Sequence, residues 1–172
     1  MKVSVNLSAA QLRDPGLVDD CRRAMSDAGI EGDALIIEVT EGSLIADVAS
    51  ATRVLESLSA LGITIAVDDF GTGYSSLSHL RCFPVDVIKV DKAFVDGVCN
   101  SDEESTLVRS ILAIGAEFGL QVVAEGIESE AQDRELRRLG CDYGQGYLYT
   151  CPVPAERIDE LLLSQYPARV AS

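Results

Sequence analysis

Six short β-rich runs alternate with helical stretches along the chain, and each run carries a polar residue at its C-terminal end. The runs are "KVSVNLS", "ALIIEVTE", "ITIAVDDF", "DVIKVD", "LQVVAEGI" and "YGQGYLY". The helical stretches are Pro15–Ala28, Asp47–Leu61, Ser75–Arg81, Glu103–Phe118, Glu130–Leu139 and a last one from Ala155 to Leu163. Leu107, Ile111, Ile114 and Phe118 fall on one face of the fourth. Gly29, Gly62, Gly119 and Gly140 follow helices, where a left-handed C-cap is wanted, and "SDEES" supplies a cap and an acidic first turn. Such alternation predicts an α/β fold, a parallel sheet covered by helices, either open and doubly wound or closed into a barrel.

The polar residues decide between the two. They are Asn6, Glu38, Asp68 with Asp69, Lys89, Glu125 and Gln145. In a (β/α)8 barrel the C-terminal strand ends surround a single site. The first strand is also followed by "NLSAAQLRDPG", which lacks the G-x-G-x-x-G of a dinucleotide fold. The expectation is therefore a TIM-barrel-like fold of which about six β/α units are visible, whereas such barrels typically need about 250 residues. Residue 3 already lies in a strand, so the absent part is expected to be N-terminal. Residues 1–163 then form an incomplete domain and 164–172 a tail.

Composition narrows the chemistry. The chain has 172 residues, 14 Lys plus Arg and 28 Asp plus Glu, for a net charge of −14. That balance argues against DNA or RNA as a partner, because phosphate neutralisation needs a basic surface. No segment approaches the roughly 18 uninterrupted apolar residues of a membrane span, and "MKVSVNLSAA" lacks a signal-peptide layout, so a cytoplasmic location is expected. The five cysteines form no C-x-x-C pair and read as small hydrophobes of a reducing compartment. His79 is the one histidine and reads as a surface or packing residue.

Asn6, Glu38, Asp68, Asp69 and Glu125 offer oxygen ligands only, the donor set of Mg2+ or Mn2+ rather than zinc. Two such ions about 4 Å apart activate water and clamp the oxygens of a phosphodiester. Lys89 could orient that water or stabilise charge on the phosphoryl group. "AVDDFGTGYSS" poses a difficulty, because neighbouring strand residues point to opposite faces and Asp68 and Asp69 should not both reach one ligand. Gly71 and Gly73 suit hinges of a mobile loop better than a phosphate cradle. Plainer readings stand beside these: Glu41 and Glu128 as helix caps, Lys89 as an ion-pair partner, Gln145 as a turn residue.

Taken together, "NLS", "EVTE", "DDFGTGYSSL", "DVIKVDKAFV", "AEGIES" and "GQGYLY" resemble the EAL domain of cyclic di-GMP phosphodiesterases, in the family's order and over nearly the whole chain. The resemblance implies that Asn6, Glu38 and Asp68 ligate a first metal, with Asp68 bridging to a second held by Asp69 and Glu125. It implies that Lys89 and Gln145 position the water and that Glu128 lies in the rim. Glu41 would anchor the loop of Phe70, Gly71, Thr72, Gly73 and Tyr74, which in this family couples the site to dimerisation. The reaction implied is two-metal hydrolysis of cyclic di-GMP to pGpG, with companion signalling domains upstream. No E-A-L tripeptide occurs in the sequence, and that strand's glutamate is a ligand of the first metal in the family. Little or no activity is expected from this chain alone, and self-association is expected through the exposed edge Val3–Leu7. The alternatives are a catalytically inactive cyclic di-GMP-binding or protein-interaction module, and an enolase-like enzyme with Lys89 as base, which the paired aspartates disfavour.

Overall fold

The computed structural model describes residues 2–72 and 80–165. One parallel sheet runs through it in the order of the chain: β1 (Val3–Leu7), β2 (Leu35–Thr40), β3 (Thr64–Phe70), β4 (Val87–Val90), β5 (Gln121–Ala124) and β6 (Tyr143–Gly144). A doubly wound sheet reverses its strand order at a switch point; this one does not, which is the order of a barrel wall. The fold is an incomplete TIM-barrel-like α/β structure. Among the described residues no strand joins β6 to β1.

Strand residues of alternating character give the sheet two chemically different faces. Ile37, Val39, Ile65, Val67, Ile88, Val90, Val122 and Ala124 are buried toward the helices. Their alternates include Glu38, Asp68 and Lys89, on the inner face. The helices are α1 (Leu17–Ala28), α2 (Glu41–Ile45), α3 (Val48–Ser59), α4 (Lys92–Gly97), α5 (Asp102–Phe118), α6 (Glu130–Leu139) and α7 (Ile158–Gln165). Leu55 and Leu58 of α3 and Val108, Ile111 and Leu112 of α5 complete the core. Ser101 caps α5 by accepting the Glu104 N–H, and Ser129 with Gln132 forms a capping box on α6.

Several expectations need correction. The buried stripe of α5 runs through Ser105, Val108, Ile111, Leu112 and Gly115, whereas Leu107 is 47% exposed. Ile114 and Phe118 pack at its margin. The stripe is rotated because Gly115 lets the helix approach β5: a Cβ there would lie 2.5 Å from Val122 Cγ2. Gly29, Gly119 and Gly140 are left-handed C-caps, but α3 is capped by Ala60, with Gly62 beyond it.

The sixth run pairs only at Tyr143–Gly144. After Gln145 the chain folds across Ile127, whose N–H donates to the Gln145 carbonyl and whose carbonyl accepts the Leu148 N–H. A Cβ on Gly146 would meet the Ile127 carbonyl oxygen at 2.1 Å, so the strand cannot continue there as a regular one. The short helices α2 and α4 follow strands directly and carry no long apolar period to reveal them. The stretch 73–79, with His79, Gly73, Tyr74 and most of the third expected helix, lies outside the described residues, as do 166–172 of the expected tail.

Candidate metal centre

The inner face of the sheet concentrates charge at its C-terminal rim. Register places Asn6 beside Glu38 and Asp68 beside Thr40, one pleat further along. Lys89 rises from the middle of β4, and Glu125 is the first residue past β5. The Lys89 ammonium reaches Glu38 Oε2 at 2.6 Å, Glu125 Oε1 at 2.7 Å and Asp68 Oδ1 at 3.2 Å. The ammonium thus sits among three carboxylates and donates a hydrogen bond to Glu38 Oε2. Lys89 and Glu38 are buried, and Asp68 and Glu125 are partly so.

The difficulty of adjacent aspartates is resolved by the backbone. Val67 pairs with Ile88 and Phe70 with Val90, so β3 spends one more residue than β4 over this interval. This bulge lets Phe70 return to the helix-facing side, where it is 4% exposed. Asp69 takes up the extra step at φ 54°, the one positive φ among described non-glycine residues. Aspartate is among the few residues that tolerate that region. The Thr72 hydroxyl and N–H both donate to the Asp69 carbonyl and close the turn. As a result Asp68, Asp69 and Glu125 each offer a carboxylate oxygen within 4.8 Å of the others.

That spacing and donor type fit a hard divalent cation. The electrostatics agree. Burial raises the pKa of Asp69, and the charges of Asp68 and Asp91 raise it further, against the opposing pull of Lys89. Burial likewise raises Glu125, with Lys89 opposing and Asp68 adding to the rise. Burial alone would lower Lys89, but hydrogen bonds to Glu125 and Glu38 outweigh it and raise its pKa.

Other expected residues stand around this cluster. Glu41 is the first residue of α2 and is buried; Thr40 is the N-cap and no side chain caps the helix, so Glu41 is not the cap its position suggested. Its Oε2 accepts the Gly71 N–H at 3.4 Å, and its Oε1 has no hydrogen-bond partner among the described residues. Glu128 pairs at 3.0 Å with Lys92, which also holds Asp96. Asn6 is exposed, and Gln145 is exposed in a cleft of about 850 Å3 that Ser4 also lines. Asp91 was not singled out from the sequence. It caps α4 through the Ala93 N–H and lies close enough to Asp69 to act on its charge. The signal was present in "KVD", a third carboxylate just past a strand end.

A strand-ordered α/β wall with an acidic cluster at its C-terminal rim defines the class: an incomplete TIM-barrel-like domain with a candidate cation site. The chain belongs to the EAL domain family, whose profile matches residues 1–152. It is 43% identical over 156 residues to the bifunctional diguanylate cyclase/cyclic di-GMP phosphodiesterase MucR of Pseudomonas aeruginosa, covering 91% of this chain and 23% of MucR. The solved MucR phosphodiesterase in complex with c-di-GMP superposes with a TM-score of 0.86 at 43% identity, over 91% of this chain and 64% of that one. A manganese/cy-diGMP complex of BlrP1 from Klebsiella pneumoniae gives a TM-score of 0.82 at 34% identity, over 88% and 39%. The chain thus spans about a quarter of its curated relative's length.

Proposed function

We propose that this rim hydrolyses cyclic di-GMP to pGpG with divalent cations, Mg2+ or Mn2+. The observation that carries the reading is the convergence of Asp68, Asp69 and Glu125 within 4.8 Å, made possible by the β3 bulge. It is supported by the c-di-GMP and manganese in the solved relatives. Asn6, Glu38 and Asp68 would hold one ion, and Asp69 and Glu125 the other with Asp68 shared. Ions so held lower the pKa of a water and neutralise charge on phosphoryl oxygens. Lys89 and Gln145 orient the water, and Glu128 lines the rim. Glu41 holds Gly71 just past β3, and through the stretch Phe70, Gly71, Thr72, Gly73 and Tyr74 would link the site to a homodimer.

Cys21, Cys99, Cys141 and Cys151 carry no disulfide, which suits a reducing cytoplasm. A cyclase partner domain in MucR's own name supports companion signalling domains for this chain. The test is incubation with cyclic di-GMP and Mn2+, with pGpG followed by chromatography and a chelator-treated control. Metal-dependent pGpG supports the reading. Nucleotide binding without pGpG replaces the enzyme with a regulatory binding module, and neither binding nor product overturns both.

A further inference from the structure

Gln132 is a buried polar residue outside the acidic cluster, and the two ends of its amide serve different elements. Its oxygen accepts the Glu128 and Ser129 N–H groups, each at 2.9 Å, and the Ser129 hydroxyl at 3.1 Å, which makes the capping box of α6. Its nitrogen donates to the Val95 carbonyl and to Asp96 Oδ1 of α4, both at 3.5 Å. A capping box needs only the acceptor, and glutamate supplies that as well as glutamine. The donor is surplus to capping and ties the loop of residues 125–129 to α4. A second bridge closes the same junction at the surface, where the Lys92 ammonium pairs with Asp96 at 2.7 Å and with Glu128 at 3.0 Å. Gly126, at φ 69°, lies on the Lys92 stem: a Cβ there would be 2.4 Å from Lys92 Cγ. The loop so held carries Glu125 and Glu128, and its Ile127 N–H donates to the Gln145 carbonyl. Every rim residue past β4 is therefore carried by this loop or tied to it.

We propose that Gln132 is a positioning residue for the metal centre: its amide nitrogen, with Lys92 at the surface, clasps the 125–129 loop to α4 and so sets Glu125 where its carboxylate meets Asp68 and Asp69. The proposal rests on the metal-site reading above and extends it to a residue that offers the centre no ligand. It also gives a reason for glutamine at this helix position. A glutamate would cap α6 but could not donate to Val95, and it would face Asp96 with a second carboxylate.

The experiment is a Mn2+ titration of the full chain without nucleotide, with free manganese counted by electron paramagnetic resonance. Wild type, Gln132→Glu and Lys92→Met are compared at equal folded concentration, taken from urea curves. Lys92→Met keeps the stem that Gly126 rests on and removes only the ammonium. Both substitutions make the junction more acidic, so charge alone would tighten Mn2+ binding. A clasp that positions Glu125 predicts the opposite sign. Gln132→Glu should weaken Mn2+ binding about tenfold or more, the usual effect of losing a group that orients a ligand. Lys92→Met should weaken it about threefold or more, as a solvent-exposed bridge allows. Mn2+ binding by Gln132→Glu that equals or exceeds the wild-type affinity overturns the proposal and leaves the metal site standing. Should Gln132→Glu show no cooperative urea transition, Lys92→Met decides alone: weaker binding supports the clasp, and unchanged or tighter binding overturns it. No manganese bound by the wild-type chain overturns the proposal and the metal-site reading together.

Discussion

Asp69 carries its side chain to the candidate metal centre by adopting φ 54° in a bulge, a conformation that costs an L-residue roughly 1–2 kcal/mol. Its carboxylate also faces the charges of Asp68 and Asp91. Asp69→Gly removes both burdens, and Asp69→Asn removes the charge while keeping a residue that tolerates the turn. Both are expected to keep the metal-free stability within about 1 kcal/mol of the parent, or raise it. Both should lose the stabilisation that Mn2+ gives the parent in urea titrations. A loss of metal-free stability beyond about 2 kcal/mol would show that Asp69 is held for the fold rather than for a ligand. Lys89 gives a prediction in pH. Its folded pKa is raised above 10.5, so the native state keeps its proton after the unfolded chain has lost it. Its contribution is full below that value and declines as pH rises through the folded pKa. The stability difference between the wild-type chain and Lys89→Met should therefore shrink in alkaline urea titrations; a constant difference contradicts the pairing.

At the scale of elements, α5 shows how local reading and packing part company. Its length and caps are legible because Ser101 and Gly119 act through near neighbours. Its buried face is not, since Leu107 would pack as well as Val108 until Gly115 sets the helix against Val122. Gly115→Ala should be destabilising by about 1–3 kcal/mol despite alanine's better helix propensity, read as a lower urea midpoint. A gain in stability would mean that the helix can retreat from β5. The polar rim was legible for a similar reason to the caps: in "IIEVT" the alternation is local, and Glu38 stands between two residues that must face the helices. The inward turn of Asp69 was not, because the bulge exists only relative to the register of β4, 20 residues away in sequence. The brevity of β6 likewise depends on Ile127 crossing beneath Gly146.

At the scale of the whole molecule, the sheet ends at β1 and β6 among the described residues, and Val3 and Val5 are 49% and 46% exposed on the helix-facing side of β1. Apolar side chains on an open strand edge favour pairing with another strand, which is the basis for proposing self-association. The strand order and the rim together made the barrel-like class readable from the sequence, since both recur with every β/α unit. Net charge of −14 on the chain also makes cations the natural complement of that rim. The central claim is that this rim is a divalent-metal phosphodiesterase site for cyclic di-GMP. Its most direct test is the rate of pGpG formation across a Mn2+ titration, for the wild-type chain and for Asp69→Asn at equal folded concentration. The account predicts product that appears only with Mn2+ and falls by about a hundredfold or more in Asp69→Asn, as loss of a direct metal ligand requires. Product that forms equally without metal, or equally in Asp69→Asn, would contradict it.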